Sequence, residues 1–391
     1  MVHHNFYLFI LLATTFSFFY EASSAKFINV VSFGAKPDGN SDSTKSFLSA
    51  WSSACTSREQ ATIYVPQGSF LLKQVTFSGP CKNKVEIKID GTLVAPKDYW
   101  SLGGSGEYWI LFMKVDKLKI QGGTIDGKGS GYWRCRRSGK NCPAGARSLS
   151  FSWSSNVVVS GLKSLNSQTM HIAVDHCTNV LIQGVRIRAP SGSPNTDGIN
   201  VQFSTGVTIM HSAIMTGDDC ISINQGTTHM WIERIACGPG HGISIGSLGT
   251  SSNEAGVRNV TVTNSVFTKT DNGVRIKSWA RPSNGFVRDI VFRKLIMQNV
   301  YNPIIIDQRY CPGRQCPHQS SGVKISKVSY EDIHGTSASP VAINFDCSQS
   351  NPCWGIKLQD INLVYRKGSA KSACRNAGGS TIGVVIPRSC I

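Results

Sequence analysis

Four short segments gather most of the side chains in this chain that could do acid–base chemistry. They are Asn195-Thr196-Asp197, Gly217-Asp218-Asp219-Cys220, Gly240-His241-Gly242 and Arg275-Ile276-Lys277, with Tyr310 further on. Asp197, Asp219 and His241 follow one another at 22 residues, Arg275 comes 34 later and Tyr310 35 after that. Carboxylates crowded together raise one another's pKa, so one can stay protonated as an acid while another acts as a base. An acid and a base about one strand spacing apart suit hydrolysis of a glycosidic bond. His241 lies between two glycines and could approach the carboxylates closely; as a cation it would pull their pKa values down. Arg275 and Lys277 alternate with Ile276 and so leave a strand on the same side, where a planar fork and a point charge together can receive a ligand carboxylate.

Each segment alone has a plainer reading. Asp-Gly and Gly-Asp are turn chemistry, clustered carboxylates can hold calcium, a single histidine can be structural, and Arg275 with Lys277 can be a solvated face. Only co-location favours chemistry, and that requires a chain whose turns repeat at the observed interval.

The apolar pattern supplies such a repeat. Asn156-Val157-Val158-Val159 resembles Asn179-Val180-Leu181-Ile182, Gly206-Val207-Thr208-Ile209, His229-Met230-Trp231-Ile232 and Asn259-Val260-Thr261-Val262. It continues in Asp289-Ile290-Val291-Phe292, Gly322-Val323-Lys324-Ile325 and Gly355-Ile356-Lys357-Leu358. From Val157 to Ile356 the second residues of these phrases are separated by 23, 27, 23, 30, 30, 33 and 33 positions. A unit of that size cannot bury its own apolar face, and stacking supplies the core, so the expected fold is all-β, a parallel β-helix, rather than a sandwich of hairpins. Phe47, Leu48, Trp51 and Ala54 recur at helical spacing after Asp42-Ser43, which predicts a short helix capping the open N-terminal end.

The chain has 391 residues, 40% of them hydrophobic, with 38 glycines and only 16% charged. That composition fits one long domain of strands and turns over residues 26–391. Residues 1–25 read as a secretory signal peptide: an apolar run from Phe6 to Phe19, then a Ser-x-Ala cleavage pattern before Lys26. Thirteen cysteines in an exported chain argue for disulfides. Proximity suggests Cys55–Cys81, Cys135–Cys142, Cys220–Cys237, Cys311–Cys316, Cys347–Cys353 and Cys374–Cys390, leaving Cys177 as a buried thiol. No Cys-x-x-Cys spacing occurs, which speaks against zinc. The formal charge is +17, and +18 without residues 1–25, whose one charged residue is Glu21. Such a field draws polyanions. Export weakens nucleic acid as the partner, no basic amphipathic helix supports a membrane, and acidic polysaccharide remains.

The segments Ser193-Pro194-Asn195-Thr196-Asp197-Gly198, Gly217-Asp218-Asp219-Cys220, Gly240-His241-Gly242 and Arg275-Ile276-Lys277 resemble the four signature motifs of the plant polygalacturonases, glycoside hydrolase family 28. Phe33-Gly34-Ala35-Lys36-Pro37-Asp38-Gly39 and Asp307-Gln308-Arg309-Tyr310-Cys311 are similar to that family too. The resemblance runs from about Phe27 to the end. It implies a right-handed parallel β-helix and hydrolysis, with inversion and without metal or other cofactor, of α-1,4 links between galacturonate units. By position it makes Asp218 the general acid, Asp197 and Asp219 joint activators of water, and His241 the group that tunes the acid. Arg275, Lys277, Tyr310 and Asn195 become substrate-binding residues. The expected protein is a secreted cell-wall monomer acting on pectin, cutting inside chains, with an exo-acting polygalacturonase, a calcium-dependent lyase and an inactive polyanion-binding solenoid as alternatives. Asn259-Val260-Thr261 is the only glycosylation sequon.

Overall fold

A computed structural model describes residues 26–103, 107–313 and 316–391. The signal peptide expected over residues 1–25 lies outside the described residues. The chain winds into a parallel β-helix, right-handed as parallel crossovers are, with one sheet of seventeen strands and one of eleven. Every named strand pairing is parallel, as in Ile172–Asp175 on Ile199–Gln202 and Ile199–Gln202 on Ile221–Ile223. Within the eleven-stranded sheet Ile172, Ile199, Ile221, Ile243, Val274, Ile304 and Ile343 stack in register. All seven are fully buried, and each contributes about 1.5–3 kcal/mol by leaving water. One apolar cluster runs from Ile28 to Leu363.

The repeated phrase of the sequence marks a tight bend. Asn156, Asn179, Gly206, His229, Asn259, Asp289, Lys327 and Gly355 all have positive φ, between 52° and 67°. The residue after each is an inward-facing member of the same strand. Val157, Val180, Val207, Met230, Val260 and Ile290 are indeed register partners. At the next coil the partner of Ile290 is Val328, which pairs onward with Ile356. The sequence reading placed that position at Val323. The reason for the difference is local: Lys327 takes the left-handed bend (φ 52°), whereas Gly322 has no positive φ. A lysine there hides the bend that Asn and Gly advertise at other coils.

The N-terminal end is closed by a helix, Thr44–Cys55. It buries Phe47, Ala50, Trp51, Ala54 and Cys55. Trp51 packs on Phe77 and Phe112 and donates its indole N–H to the Ser78 carbonyl. Leu48, counted in the expected stripe, instead lies 39% exposed on the outer side. All six disulfides pair as proximity suggested, and Cys177 is free and buried. Among the described residues no helix is long and apolar enough to cross a membrane.

Candidate active site

The eleven-stranded sheet turns its second face outward. Because strand side chains alternate, Ala173, Asn200, Ser222, Ser244 and Arg275 form one outward row, each in register with the next. Two residues further along each strand, Asp175, Gln202, Lys277, Asp307 and Asp346 belong to a second row. Asp197, Asp219 and His241 each stand two residues ahead of a stacked isoleucine, so the 22-residue step does place them on successive rungs. The next member of that column is Asn272, two before Val274. Arg275 sits three positions further on, above Ser244, and so is not in line with His241; its length lets it reach back to the acids.

Turn chemistry brings the backbone close. A Cβ on Gly217 would run into the carbonyl oxygen of Ser193, and one on Gly242, where φ is 86°, into that of Asn272. Asp218 and His241 therefore sit on turns that only glycine permits.

The acids differ in their partners. Asp219, almost wholly buried, accepts at one oxygen from Ser244 Oγ and Arg275 Nη2, both at 2.8 Å. Its other oxygen accepts from Lys277 Nζ, also at 2.8 Å. Asp218 accepts from His241 Nδ1 at 2.9 Å and from the Asp219 backbone N–H at 2.8 Å. His241 Nε2 lies 3.4 Å from Asp271. Asp197 accepts from Ser222 Oγ at 2.6 Å, and Asn200 in turn donates to Ser222 at 2.7 Å.

These surroundings push the acids apart. Burial first, and then the charges of Asp218 and Asp219, raise Asp197 to about 7 against the pull of Ser222 and Lys277. Burial acts upward on Asp218 too, but the hydrogen bond and charge of His241, with Lys277, outweigh it and hold Asp218 below the usual carboxylate range. For His241 burial acts downward, and Asp218 above all, with Asp219 and Asp271, overcomes it and raises the imidazole. Asp197 thus keeps its proton to about neutral pH, while Asp218 stays ionised beside His241.

Arg275 and Lys277 are buried partners of Asp219, not a solvated face: their side chains are 12% and 8% exposed. Tyr310 completes the corner, its ring 5.0 Å from Lys277 Nζ and 5.7 Å from the Arg275 guanidinium, edge-on to Trp279. Asn195 is exposed at positive φ and lines a cleft with Glu107, Tyr132, Arg136 and Arg147, beside the trio and not within its hydrogen bonds. Asp218, Asp219 and His241 lie close enough to consider a metal ion. The donor set fits one poorly, because both oxygens of Asp219 already face cationic nitrogens and His241 Nδ1 faces Asp218.

Sequence reasoning missed Asn200, Ser222, Ser244, Asp271, Trp279 and Asp307. Asn200, Ser222 and Ser244 were within reach, since they repeat the same 22-residue step as the acids. Asp307, raised by burial and by Asp346, sits one rung beyond Lys277 and carries no spacing signal.

Fold and site together define a glycoside hydrolase. The chain belongs to the glycosyl hydrolases family 28, whose model matches residues 55–384. It is 57% identical over 366 residues, 93% of each chain, to a polygalacturonase of Prunus persica. It is 41% identical over 372 residues to an exopolygalacturonase of Platanus acerifolia, covering 93% of this chain and 98% of the other. Among solved structures, an endo-xylogalacturonan hydrolase from Aspergillus tubingensis matches with a TM-score of 0.80 at 25% identity, covering 92% of this chain and 99% of that one.

Proposed function

We propose that the protein is a secreted polygalacturonase that hydrolyses α-1,4 links of de-esterified pectin with inversion, residues 26–391 acting as one catalytic domain. The observation that carries this is the convergence of Arg275 and Lys277 on Asp219, one rung from Asp197 and beside the Asp218–His241 pair. Such a corner holds acid, base and carboxylate receptor within reach of one sugar linkage.

In the proposed reaction Asp218 gives a proton to the leaving glycosidic oxygen as the C1–O bond breaks. A water on the opposite face of the ring attacks C1 and releases its proton to Asp197 or Asp219, which inverts the anomeric centre. The raised His241 keeps a proton at Asp218's side, and the incoming sugar carboxylates, being like charges, favour its transfer onto Asp218. Arg275, Lys277 and Tyr310 hold the sugar beside the cut, and Asn195 contacts the chain on the flank.

One observation favours a second assignment: in the free site burial and its neighbours leave the proton on Asp197. A substrate with an activated leaving group separates the two, because it restores turnover only in the Asn variant that lacks the acid. Internal cutting is the reading we adopt, since the outward rows continue past the trio in both directions, to Ala173 on one side and Asn344 on the other.

The test is the size profile of products early in digestion of polygalacturonate, with the anomer followed by NMR. Rapid appearance of mid-length products with an inverted anomer supports the reading. Monomer alone would make the enzyme exo-acting. An unsaturated, ultraviolet-absorbing end that disappears with chelator would make it a lyase.

A further inference from the structure

One bend of the coil is built from unexpected residues. At the downstream ends of strands in the eleven-stranded sheet, Trp153, His176 and Phe203 follow Ser152, Asp175 and Gln202, with φ of 53°, 52° and 46°. L-residues with large side chains pay about 1–2 kcal/mol for that conformation. Among the described non-glycine residues with positive φ, the rest are Asn, Asp, Lys, Arg or His; Trp153 and Phe203 are the two with neither amide, charge nor imidazole. Their rings make a ladder, Trp153 on His176 at 4.1 Å and His176 on Phe203 at 4.6 Å. Ordinary packing does not account for it, because Trp153 at its end is 59% exposed.

The ladder borders the outward row of the trough. His176 Nδ1 lies 2.8 Å from Asp175 Oδ1, and Gln202 Nε2 donates to the same oxygen at 3.1 Å. Asp175 and Gln202 belong to the outward row that contains Lys277. The same downstream edge carries Trp279 and Tyr310 on the far side of the trio. Five rungs separate Ser152 from Lys277, about 24 Å at the usual strand spacing.

We propose that Trp153, held rigid by His176 and Phe203, is a remote sugar subsite on which the apolar face of a pectic ring stacks several units from the cleaved bond. The proposal rests on the polygalacturonase reading above. The ring presents a flat apolar surface at low entropic cost, and stacking of sugar C–H groups on it needs no carboxylate recognition. Units with free or methyl-esterified carboxyls can therefore both occupy it. Affinity gained there reaches only chains long enough to span the trough.

The experiment measures kcat/KM on galacturonate oligomers, dimer to trimer against octamer or longer, for the wild type, Trp153→Ala and Trp153→Phe. The ratio of long to short should fall about tenfold in Trp153→Ala, ~1.4 kcal/mol, through KM and not kcat, and recover in Trp153→Phe. Additional quenching of tryptophan fluorescence by the long oligomer over the short one, lost in Trp153→Ala, would support the same conclusion. An unchanged ratio, or an equal loss on both lengths in a variant of lowered Tm, overturns the subsite. Failure of the wild type to cleave any of these oligomers would instead overturn the reading of the active site.

Discussion

Replacing Lys277 by methionine keeps the length of the side chain and removes its charge. In the folded protein Lys277 Nζ is the hydrogen-bond partner at 2.8 Å of one oxygen of Asp219, a carboxylate whose side chain is 2% exposed. The other oxygen keeps Arg275 and Ser244. Breaking a buried pair costs about 3–5 kcal/mol when one charge is left alone; with two partners retained, the lower end, about 3 kcal/mol, is expected. Thermal unfolding should fall by several degrees. Lys277→Met with Asp219→Asn should recover more than half of that, because the stranded charge is gone. In binding, a similar loss amounts to about a hundredfold on polygalacturonate and much less on methyl-esterified chains, which offer no carboxylate to the vacated corner. The assays are thermal melts of the full double-mutant cycle and titration of a catalytically dead background with both polymers. Single-mutant effects that simply add within about 0.5 kcal/mol, or equal weakening on acidic and esterified chains, would refute the reasoning.

Asp218→Asn should abolish reducing-end release from polygalacturonate while leaving the fold intact by circular dichroism; residual turnover near the wild-type rate contradicts its role. Asp197 keeps its proton until about pH 7, so under the second assignment kcat/KM falls as pH rises through that value, and a plateau extending well above it counts against Asp197 as the acid. Asp197→Asn gives an independent check on stability. Above the ordinary carboxylate pKa of 3.8 the unfolded chain has lost the Asp197 proton that the folded protein keeps up to about 7, so wild-type stability declines across that window. The melting temperature of the variant should therefore gain on the wild type between about pH 4 and pH 7 and run parallel above it. Chelator should leave hydrolysis unchanged, since Arg275 and Lys277 occupy the faces of Asp219 that a cation would need; loss of activity restored by calcium would return the lyase reading.

Much of the architecture was legible because stacking imposes a period on residues that face inward. Val157, Val180 and Val207 advertise their bends through the Asn or Gly before them, and the acids inherit the same step. The reading slipped where a residue without that signature takes the bend, as at Lys327, and where reach replaces register, as at Arg275. Ser222 and Ser244 were overlooked since serine is common on any strand; only their alignment with Asn200 distinguishes them. Leu48 was misplaced because a helix on the end of a solenoid has a narrow contact strip, and Ala50 could approach where a larger side chain could not. The aromatic ladder repeats the 23- and 27-residue steps of Val157, Val180 and Val207, but Trp153, His176 and Phe203 read individually as ordinary apolar or polar residues and share no common type.

The last strand, Ala377–Ile386, is exposed along most of its length and pairs with a single neighbour, Cys353–Tyr365, while Cys374–Cys390 ties the tail to the terminal rung. In a stack held by nearest neighbours, unravelling starts at whichever terminus is least fastened. The cysteine tether is thus a fastener against peeling from that side, and the cleft, lodged mid-stack, would be among the final parts to come undone.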